Sequence, residues 1–194
     1  MVCRRKQNEF RLSGADFFFS YGRSEKKAVA ANRPVLAAAS ASIPPIDIFS
    51  LFECHVFRNP VSIWLGPKKK SLLGLGAAHT LSASGSSRFH ALSFLWQQLA
   101  RDAVIVGKLS PIALGGFRFD EESSRSLLWN EFSDAELTIP ELTIYQDGDS
   151  WHCIRACVVS QETKEINTPC FTYSSLLRDE DFHKSEKKGL HCCN

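Results

Sequence analysis

The sequence lacks three features that would place it in a broad class at once: an excess of charge of one sign, a long apolar run and an evenly paired set of cysteines. Its 23 Lys and Arg residues stand against 21 Asp and Glu, a formal net charge of +2. That charge is too small for the field that nucleic-acid or membrane-surface binding requires. No stretch approaches the roughly 20 consecutive apolar residues that span a bilayer. We therefore expect neither a nucleic-acid nor a membrane partner.

The start of the chain and its cysteines predict a cellular compartment. Basic residues at 4–6 are followed by polar residues and not by the apolar core of a secretion signal. The seven cysteines are odd in number and scattered, so they form no obvious disulfide framework. We expect a cytoplasmic protein with reduced thiols.

What is present suffices for one globular core, since the 194 residues are 44% hydrophobic. Residues 1–32 show no sustained period and are expected to be a weakly ordered extension. Residues 33–163 carry the periodic segments and form the predicted domain. Residues 164–194 are charged, contain cysteines and have no apolar period, which predicts an irregular tail.

The first half of the domain predicts a strand, a short helix and a hairpin. An apolar strand is expected over 34–39, and Asp47 can cap a helix that runs through Glu53. Residues 61–65 and 71–78 read as the arms of a hairpin around three lysines. The spacing of Gly74 and Gly76 indicates that another element packs closely on the second arm.

The second half predicts one long helix followed by strands. Apolar residues recur at helical spacing from Phe89 to Ala103, Ser86 or Ser87 offers an N-cap oxygen, and Gly107 marks the end. Strands are expected over 112–119, 135–139, 142–145 and 151–159, and the Asp147-Gly148 pair predicts a hairpin turn. The predicted fold class is α+β: an incomplete antiparallel β-sheet with a long amphipathic helix packed on it, and disordered termini.

Several segments, taken in order, resemble a known family. They are Arg33-Pro34-Val35-Leu36, Ile43-Pro44-Pro45-Ile46-Asp47, Leu51-Phe52-Glu53, Trp64, Leu73-Gly74-Leu75-Gly76-Ala77-Ala78, Gly85-Ser86-Ser87-Arg88-Phe89, Trp96, Gly115-Gly116-Phe117-Arg118-Phe119-Asp120 and the L-x-x-P-x-L pattern within 137–144. Over residues 33–160 the chain resembles the amino-terminal portion of a menaquinone-type isochorismate synthase, of the chorismate-binding enzyme family.

The resemblance implies an isomerase that transfers a hydroxyl group on chorismate. In the family a lysine activates water, a glutamic acid protonates the leaving hydroxyl, and glutamates hold a Mg²⁺ that binds a substrate carboxylate. These groups belong to a carboxy-terminal region whose first landmark is a Lys-Val-Val-x-x-Arg strand. The lysines at 184, 187 and 188 lack the flanking valines, so no catalytic role is carried onto them.

The resemblance therefore leads to three hypotheses. The first is a truncated, frameshifted or incompletely described isochorismate synthase, inactive alone and binding no Mg²⁺, whose parent serves menaquinone or siderophore synthesis. The second is a noncatalytic binding or scaffold module that complements a separate carboxy-terminal chorismate-binding chain. The third, an active small enzyme of another kind, predicts turnover by the purified chain.

No catalytic, cofactor-binding or metal residue is assigned, because each candidate has a plainer structural interpretation. Cys153 and Cys157 would stand about 13 Å apart along a strand, too far for one zinc, so they are interpreted as buried thiols, and the Cys192-Cys193 pair is not assigned as ligands either. The remaining candidates are interpreted as strand packing (Gly74, Gly76, Gly115, Gly116), a solvated turn (Asp120, Glu121, Glu122), a helix cap rather than a nucleophile near His79 and His90 (Ser86, Ser87), and core (Trp64, Phe89, Trp96, Phe117).

Overall fold

A computed structural model describes residues 14–55, 60–120 and 132–160, with side chains described from residue 19 onward. The elements in chain order are α1 (Gly14–Ala31), β1 (Val35–Ile43), α2 (Ile48–His55), β2 (Val61–Gly66), β3 (Lys70–Leu75), β4 (His79–Ala83), α3 (Arg88–Arg101), β5 (Val104–Val106), β6 (Leu114–Phe117), β7 (Ala135–Ile139), β8 (Leu142–Asp147) and β9 (Ser150–Val159). No helix in these ranges is both long and apolar enough to cross a membrane.

The strands form two sheets. The larger has the order β2-β3-β8-β9-β1-β5, and the smaller has the order β4-β7-β6. Every pairing is antiparallel except that of β1 with β5, which is parallel. The predicted α+β class is confirmed, and the predicted antiparallel sheet gains one parallel edge strand.

Two helices cover the first face of the larger sheet. Leu51 of α2 packs with Leu73, Ile144 and Cys153, which neighbouring strands place on one face. Helix α1 covers the other end of that face, where Ala28 packs on Val35 and Val104. This face is therefore closed by helices near β1 and across the sheet centre.

The second face of the larger sheet is covered at one end only. Leu36, Ala38 and Ala156 pack there against Leu99 of α3 and Ile139 of the smaller sheet. The same face of α3 packs Leu92, two turns before Leu99, against Leu81 and Ala135 of the smaller sheet. One buried Leu stripe of the long amphipathic helix therefore contacts both sheets.

Local sequence chemistry explains the elements that the sequence predicted. The Asp47 carboxylate accepts hydrogen bonds from the backbone N–H of Phe49 (3.1 Å) and Ser50 (3.3 Å) at the start of α2. The β2–β3 and β8–β9 hairpins are both present, and Gly148 has a positive φ of 61° in the second turn. The predicted cap and both predicted hairpins are confirmed.

Some boundaries and one helix cap differ from the predictions. The arm predicted over 71–78 ends at Leu75, because Gly76 at φ 70° turns the chain out of the sheet and His79 begins β4 in the smaller sheet. Helix α3 ends at Arg101, and β5 intervenes before Gly107. Ser87 makes no side-chain cap hydrogen bond. The predicted strand 112–119 is reduced to four residues, Leu114–Phe117.

Helix α1 (residues 14–31) lies within the range 1–32 that the sequence predicted as a weakly ordered extension. The buried stripe of α1 consists of Ser20, Ser24 and Ala28, all 0% exposed. Such small side chains let a helix approach β1 and β5 closely, yet they produce no apolar period in the sequence. The helix ends before Asn32, whose φ of 50° is a left-handed conformation that asparagine tolerates.

Candidate functional site

A buried arginine joins two of the segments that carry the family resemblance. Arg88 opens α3 and is 4% exposed. Its guanidinium donates to the carbonyl oxygens of Gly85 (3.1 Å) and Arg118 (3.0 Å) and, at 3.5 Å, to that of Phe119. The Gly85–Phe89 segment is thereby tied to the segment after β6. Sequence reasoning missed this residue, because an arginine at a helix start is ordinarily solvated.

An ion pair supports the same junction from Asp134, the residue before β7. The Asp134 carboxylate, in a residue 8% exposed, accepts from the Gly85 backbone N–H (3.1 Å) and from Arg118 Nη1 (3.4 Å). The Arg118 backbone N–H also donates to the Asp134 carbonyl oxygen (2.7 Å). We call Arg88, Arg118, Asp134 and Gly85 the arginine network. These contacts join two loops and the residue before β7, which makes the network a fixed support rather than an open binding pocket.

Two aromatic rings cover the arginine network from outside. Phe89 and Phe117 stack with ring centroids 5.0 Å apart, and the Arg88 guanidinium lies 4.7 Å from the Phe89 centroid. Phe89 is 51% and Phe117 45% exposed, so their prediction as core is wrong. Phe89 lies in the first turn of α3, outside the space between the sheets. Trp96 of the same helix does pack against both cores.

Both thiols of β9 have limited contact with solvent, and this raises their pKa values. Cys153 is fully buried, and Cys153, Cys157 and Cys54 are all free cysteines. Burial raises the pKa of the Cys157 thiol to about 12 and moves the pKa of the Cys153 thiol above its usual range. The interpretation as a buried free cysteine is confirmed for Cys153, whereas Cys157 is free and half-buried. Cys192 and Cys193 lie outside the described residues.

The glycine interpretation is confirmed at Gly74 and Gly115. A Cβ on Gly74 would lie 2.5 Å from the Pro140 side chain, and one on Gly115 would lie 1.8 Å from the Glu136 carbonyl oxygen. These are approaches of one strand to another element, as expected where glycine is required. Gly116 has open space at its Cβ position. Neither glycine pair forms the start of a helix, as a phosphate cradle would.

The other weighed residues do not converge. His79 begins β4, where burial lowers its pKa, and His90 is exposed on α3. No hydrogen bond joins Ser86 or Ser87 to either histidine in the described ranges. Asp120 is exposed, and Glu121 and Glu122 lie outside the described residues. Nowhere in the described part of the chain do three His, Cys, Asp or Glu residues group so as to hold a metal ion.

A surface depression lies on the first face near β2. This open groove of about 340 Å³ has Asp47 and Phe49 of α2 on one side and Leu65, Lys70 and Trp151 among its other lining residues. Phe49 is 54% and Leu65 56% exposed. The groove therefore marks a place where the covering of the first face by α2 stops short of the sheet edge.

The second face is open at the same edge. The strand registers place Trp64, Leu72, Tyr145, His152 and Ser42 in one row across five strands. We call this set the open row. Trp64 is 49% exposed, and Ser42 Oγ lies 3.5 Å from His152 Nδ1. Helix α3 and the smaller sheet cover the other end of this face. Within the open row Leu72 is buried, whereas Trp64 is half exposed, so the prediction of Trp64 as core is wrong.

Residues 23–189 match the family model described as "Chorismate binding enzyme". The match begins before and continues beyond the range 33–160 in which the sequence resemblance was found. It includes the carboxy-terminal part of α1, whose small-residue stripe the sequence reading did not detect.

Two curated relatives share this region. The chain is 30% identical over 159 residues to the salicylate biosynthesis isochorismate synthase of Pseudomonas aeruginosa, a match covering 82% of this chain and 33% of that protein. It is 24% identical over 131 residues to the isochorismate synthase MenF of Bacillus subtilis, covering 61% of this chain and 28% of that protein. The chain spans about a third of the length of the curated relatives it matches.

Proposed function

Because this chain belongs to the chorismate-binding enzyme family, we propose that it provides the amino-terminal part of an isochorismate synthase-like enzyme. The observation that carries the proposal is the match of residues 23–189 to the family together with the two relatives, both named isochorismate synthases. The proposed substrate is chorismate and the proposed product isochorismate, for use in menaquinone or siderophore synthesis. Reduced thiols at Cys153 and Cys157 fit the proposed cytoplasmic location.

The described residues support a structural and not a catalytic role within that enzyme. The arginine network holds backbone carbonyl oxygens and a carboxylate in fixed contacts, and burial keeps the β9 thiols neutral. A Mg²⁺ site does not fit these residues, since the described ranges contain no group of three carboxylate, imidazole or thiol side chains. We derive no step through the metal, and we assign the acid, the base and the ion to the complementary portion, meaning the two thirds of an isochorismate synthase that this chain does not match.

The open row and the groove favour a role in which this chain completes a larger fold. Phe49 and Leu65 beside the groove, and Trp64 on the opposite face, each leave about half of a large apolar side chain in water. Exposed apolar side chains that cluster at one end of a sheet are typical of an interaction surface. Two arrangements satisfy this: a continuous polypeptide, or a separate chain that complements the catalytic portion as a scaffold module. Both make the same prediction for the activity of this chain alone.

Measurement of chorismate conversion tests the proposal. The 194-residue chain is assayed with chorismate and Mg²⁺ alone, and after coexpression with the complementary portion of the Pseudomonas aeruginosa relative. We expect isochorismate only from the coexpressed pair. Conversion by this chain alone at a rate near that of the full-length relative would contradict the assignment of chemistry to the complementary portion. A coexpressed pair that neither associates nor reacts would contradict the proposal as a whole.

A further inference from the structure

The β2 strand has one backbone edge without a described partner. Within the described ranges β2 pairs with β3 alone and ends the larger sheet. The Gly76 N–H donates to the Pro60 carbonyl oxygen (2.9 Å), and the register continues as Val61 opposite Leu75. Antiparallel pairs alternate between hydrogen-bonded and non-hydrogen-bonded. The N–H and C=O groups of Val61, Ile63 and Leu65 therefore point away from β3.

Side chains at this edge are about half exposed on both faces of the sheet. Trp64, 49% exposed, lies on the second face in the open row, and Leu65, 56% exposed, lies on the first face beside the groove. Successive residues of a strand point to opposite faces. A helix laid on one face would bury Trp64 or Leu65 and leave the other in water. A strand added in the plane of the sheet places side chains beside both.

Prolines and lysines limit the length of the available edge. Pro60 precedes β2 and Pro67 follows it, and proline has no N–H to offer a ladder. Lys68 and Lys69 adopt φ of 58° and 56° in the turn, and Lys69 is tied to Asp149 (2.8 Å) on the neighbouring turn. The charged turn discourages pairing beyond Gly66. The edge open to a partner is the six-residue strand Val61–Gly66.

We propose that a β-strand of the complementary portion pairs with the free edge of β2 and extends the larger sheet. This inference rests on the proposed function and specifies where the two portions meet. About two thirds of the length of each relative lies outside the part that this chain matches, and this portion supplies the occupant. Main-chain hydrogen bonds form at Val61, Ile63 and Leu65, and side chains of the added strand cover Trp64 and Leu65.

Amide hydrogen exchange distinguishes this geometry from any other association. The full 194-residue chain, labelled with nitrogen-15, is measured alone and as the complex copurified after coexpression with the complementary portion of the Pseudomonas aeruginosa relative. In the free chain the amides of Ser62 and Trp64 are protected by β3, and those of Val61, Ile63 and Leu65 exchange quickly. We expect the complex to slow exchange at 61, 63 and 65 by at least tenfold, giving an alternating pattern that surface covering does not produce.

Two substitutions at one position test the same contact. Leu65→Pro removes only an N–H that points away from β3, and its preceding residue is already in a strand. The free variant should keep its unfolding midpoint and lose the complex. Leu65→Lys keeps the N–H and should weaken binding less than Leu65→Pro does. Phe94→Lys, at a residue 59% exposed on α3, is the matched control and should bind as the unaltered chain does.

The outcomes separate this inference from the proposed function. A complex that forms and converts chorismate while residues 61, 63 and 65 exchange as in the free chain overturns the inference and leaves the proposed function standing. Failure to form any complex overturns both. Protection of the same three amides in the free chain as its concentration rises would show that a second copy occupies the edge, which also overturns the inference.

Discussion

Arg88 is the residue on which the junction between α3, β6 and β7 depends most. Arg88 is 4% exposed, and its guanidinium donates hydrogen bonds to three carbonyl oxygens. A buried acceptor that loses its donor costs roughly 1–3 kcal/mol. A side chain of similar length without donors therefore leaves the two resemblance segments joined through Asp134 and the Phe89–Phe117 ring stack.

Arg88→Met should lower the free energy of unfolding by about 3 kcal/mol, because more than one buried acceptor loses its donor. Urea denaturation measures this as a shift in midpoint at constant slope. Arg101→Met, at the exposed end of the same helix with its side chain 66% exposed, is the control and should change stability little. Equal effects of the two substitutions would show that the arginine network does not support the fold.

The buried thiols lead to a second prediction at this scale. With a pKa of about 12, the Cys157 thiol is a thiolate in about one molecule in ten thousand at pH 8. Alkylation by iodoacetamide, followed by peptide mass spectrometry, should modify the exposed Cys54 at least tenfold faster than Cys153 or Cys157. Addition of urea above the unfolding midpoint should remove the difference. Rapid modification of Cys153 in the folded chain would contradict its burial.

Burial of these thiols also sets the sign of a pH effect. Because the folded pKa of Cys157 is raised from its ordinary 9.0, the unfolded state loses its proton first as pH rises. The contribution of Cys157 to stability is thus complete below pH 9 and is lost between pH 9 and about 12. Its size depends on the degree of burial, which the alkylation rates report.

At the scale of elements, the sequence predicted the helices and strands whose signals lie within or next to their own residues. Asp47 before an apolar turn identified α2, and the Asp147-Gly148 pair identified the β8–β9 hairpin. Elements that are stabilised mainly by contacts with residues distant in sequence were missed. The strand β5 is three residues long and exists through pairing with β1, and α1 buries small residues whose partners lie on β1 and β5. Periodicity cannot detect either case.

The candidate site followed the same division. Gly74 and Gly115 were correctly interpreted as close packing, because glycine in a strand has few other uses. The burial of Arg88 and the exposure of Phe89 were not predictable, since both depend on where β6 meets the start of α3. Helical spacing alone places Phe89 on the face of Leu92 and Trp96, and the tertiary contact with Phe117 decides otherwise.

Gly74 provides a test of the contact between β3 and the β7–β8 turn. A Cβ at this position would lie 2.5 Å from Pro140 Cγ and 3.2 Å from Leu114 Cδ1, so Gly74→Ala forces the proline or the strand to move. We expect destabilisation of roughly 1–3 kcal/mol, the usual cost of overpacking. The added substitution Pro140→Ala should recover part of the loss. Gly116→Ala, which meets open space, is the matched control and should be close to neutral.

The cap of α2 makes a prediction with a defined pH dependence. Hydrogen bonds from the Ser50 hydroxyl and the Ser50 backbone N–H lower the Asp47 pKa below its ordinary 3.8. A lowered folded pKa stabilises the fold above the unfolded pKa, and this stabilisation is lost as pH falls through the folded value. Asp47→Ala should therefore destabilise the chain at pH 7 and have less effect as pH falls below 3.8. Asp47→Ser keeps a cap oxygen and should lose less stability at pH 7.

At the scale of the whole molecule, the two faces of the larger sheet are closed at the β1 end and open at the β2 end. Helix α1 and the Arg33–Asp102 ion pair fix the closed end, where the turn after α1 meets the turn after α3. The groove, the open row and the free edge of β2 all lie at the other end. A sheet that is covered at one end and has a free edge at the other is expected of a polypeptide that folds as part of a larger unit.

A sheet completed by a second portion makes stability depend on concentration. A partner that binds only the folded state adds RT ln(1 + [L]/Kd), about 2.7 kcal/mol at a hundredfold excess over Kd. Dilution of the copurified complex from well above to well below its Kd should therefore lower the unfolding temperature of this chain toward that of the chain alone. The chain measured without its partner should show a midpoint independent of concentration. A complex whose midpoint does not change on dilution, although dissociation is seen by sedimentation, would mean that the partner does not stabilise this fold.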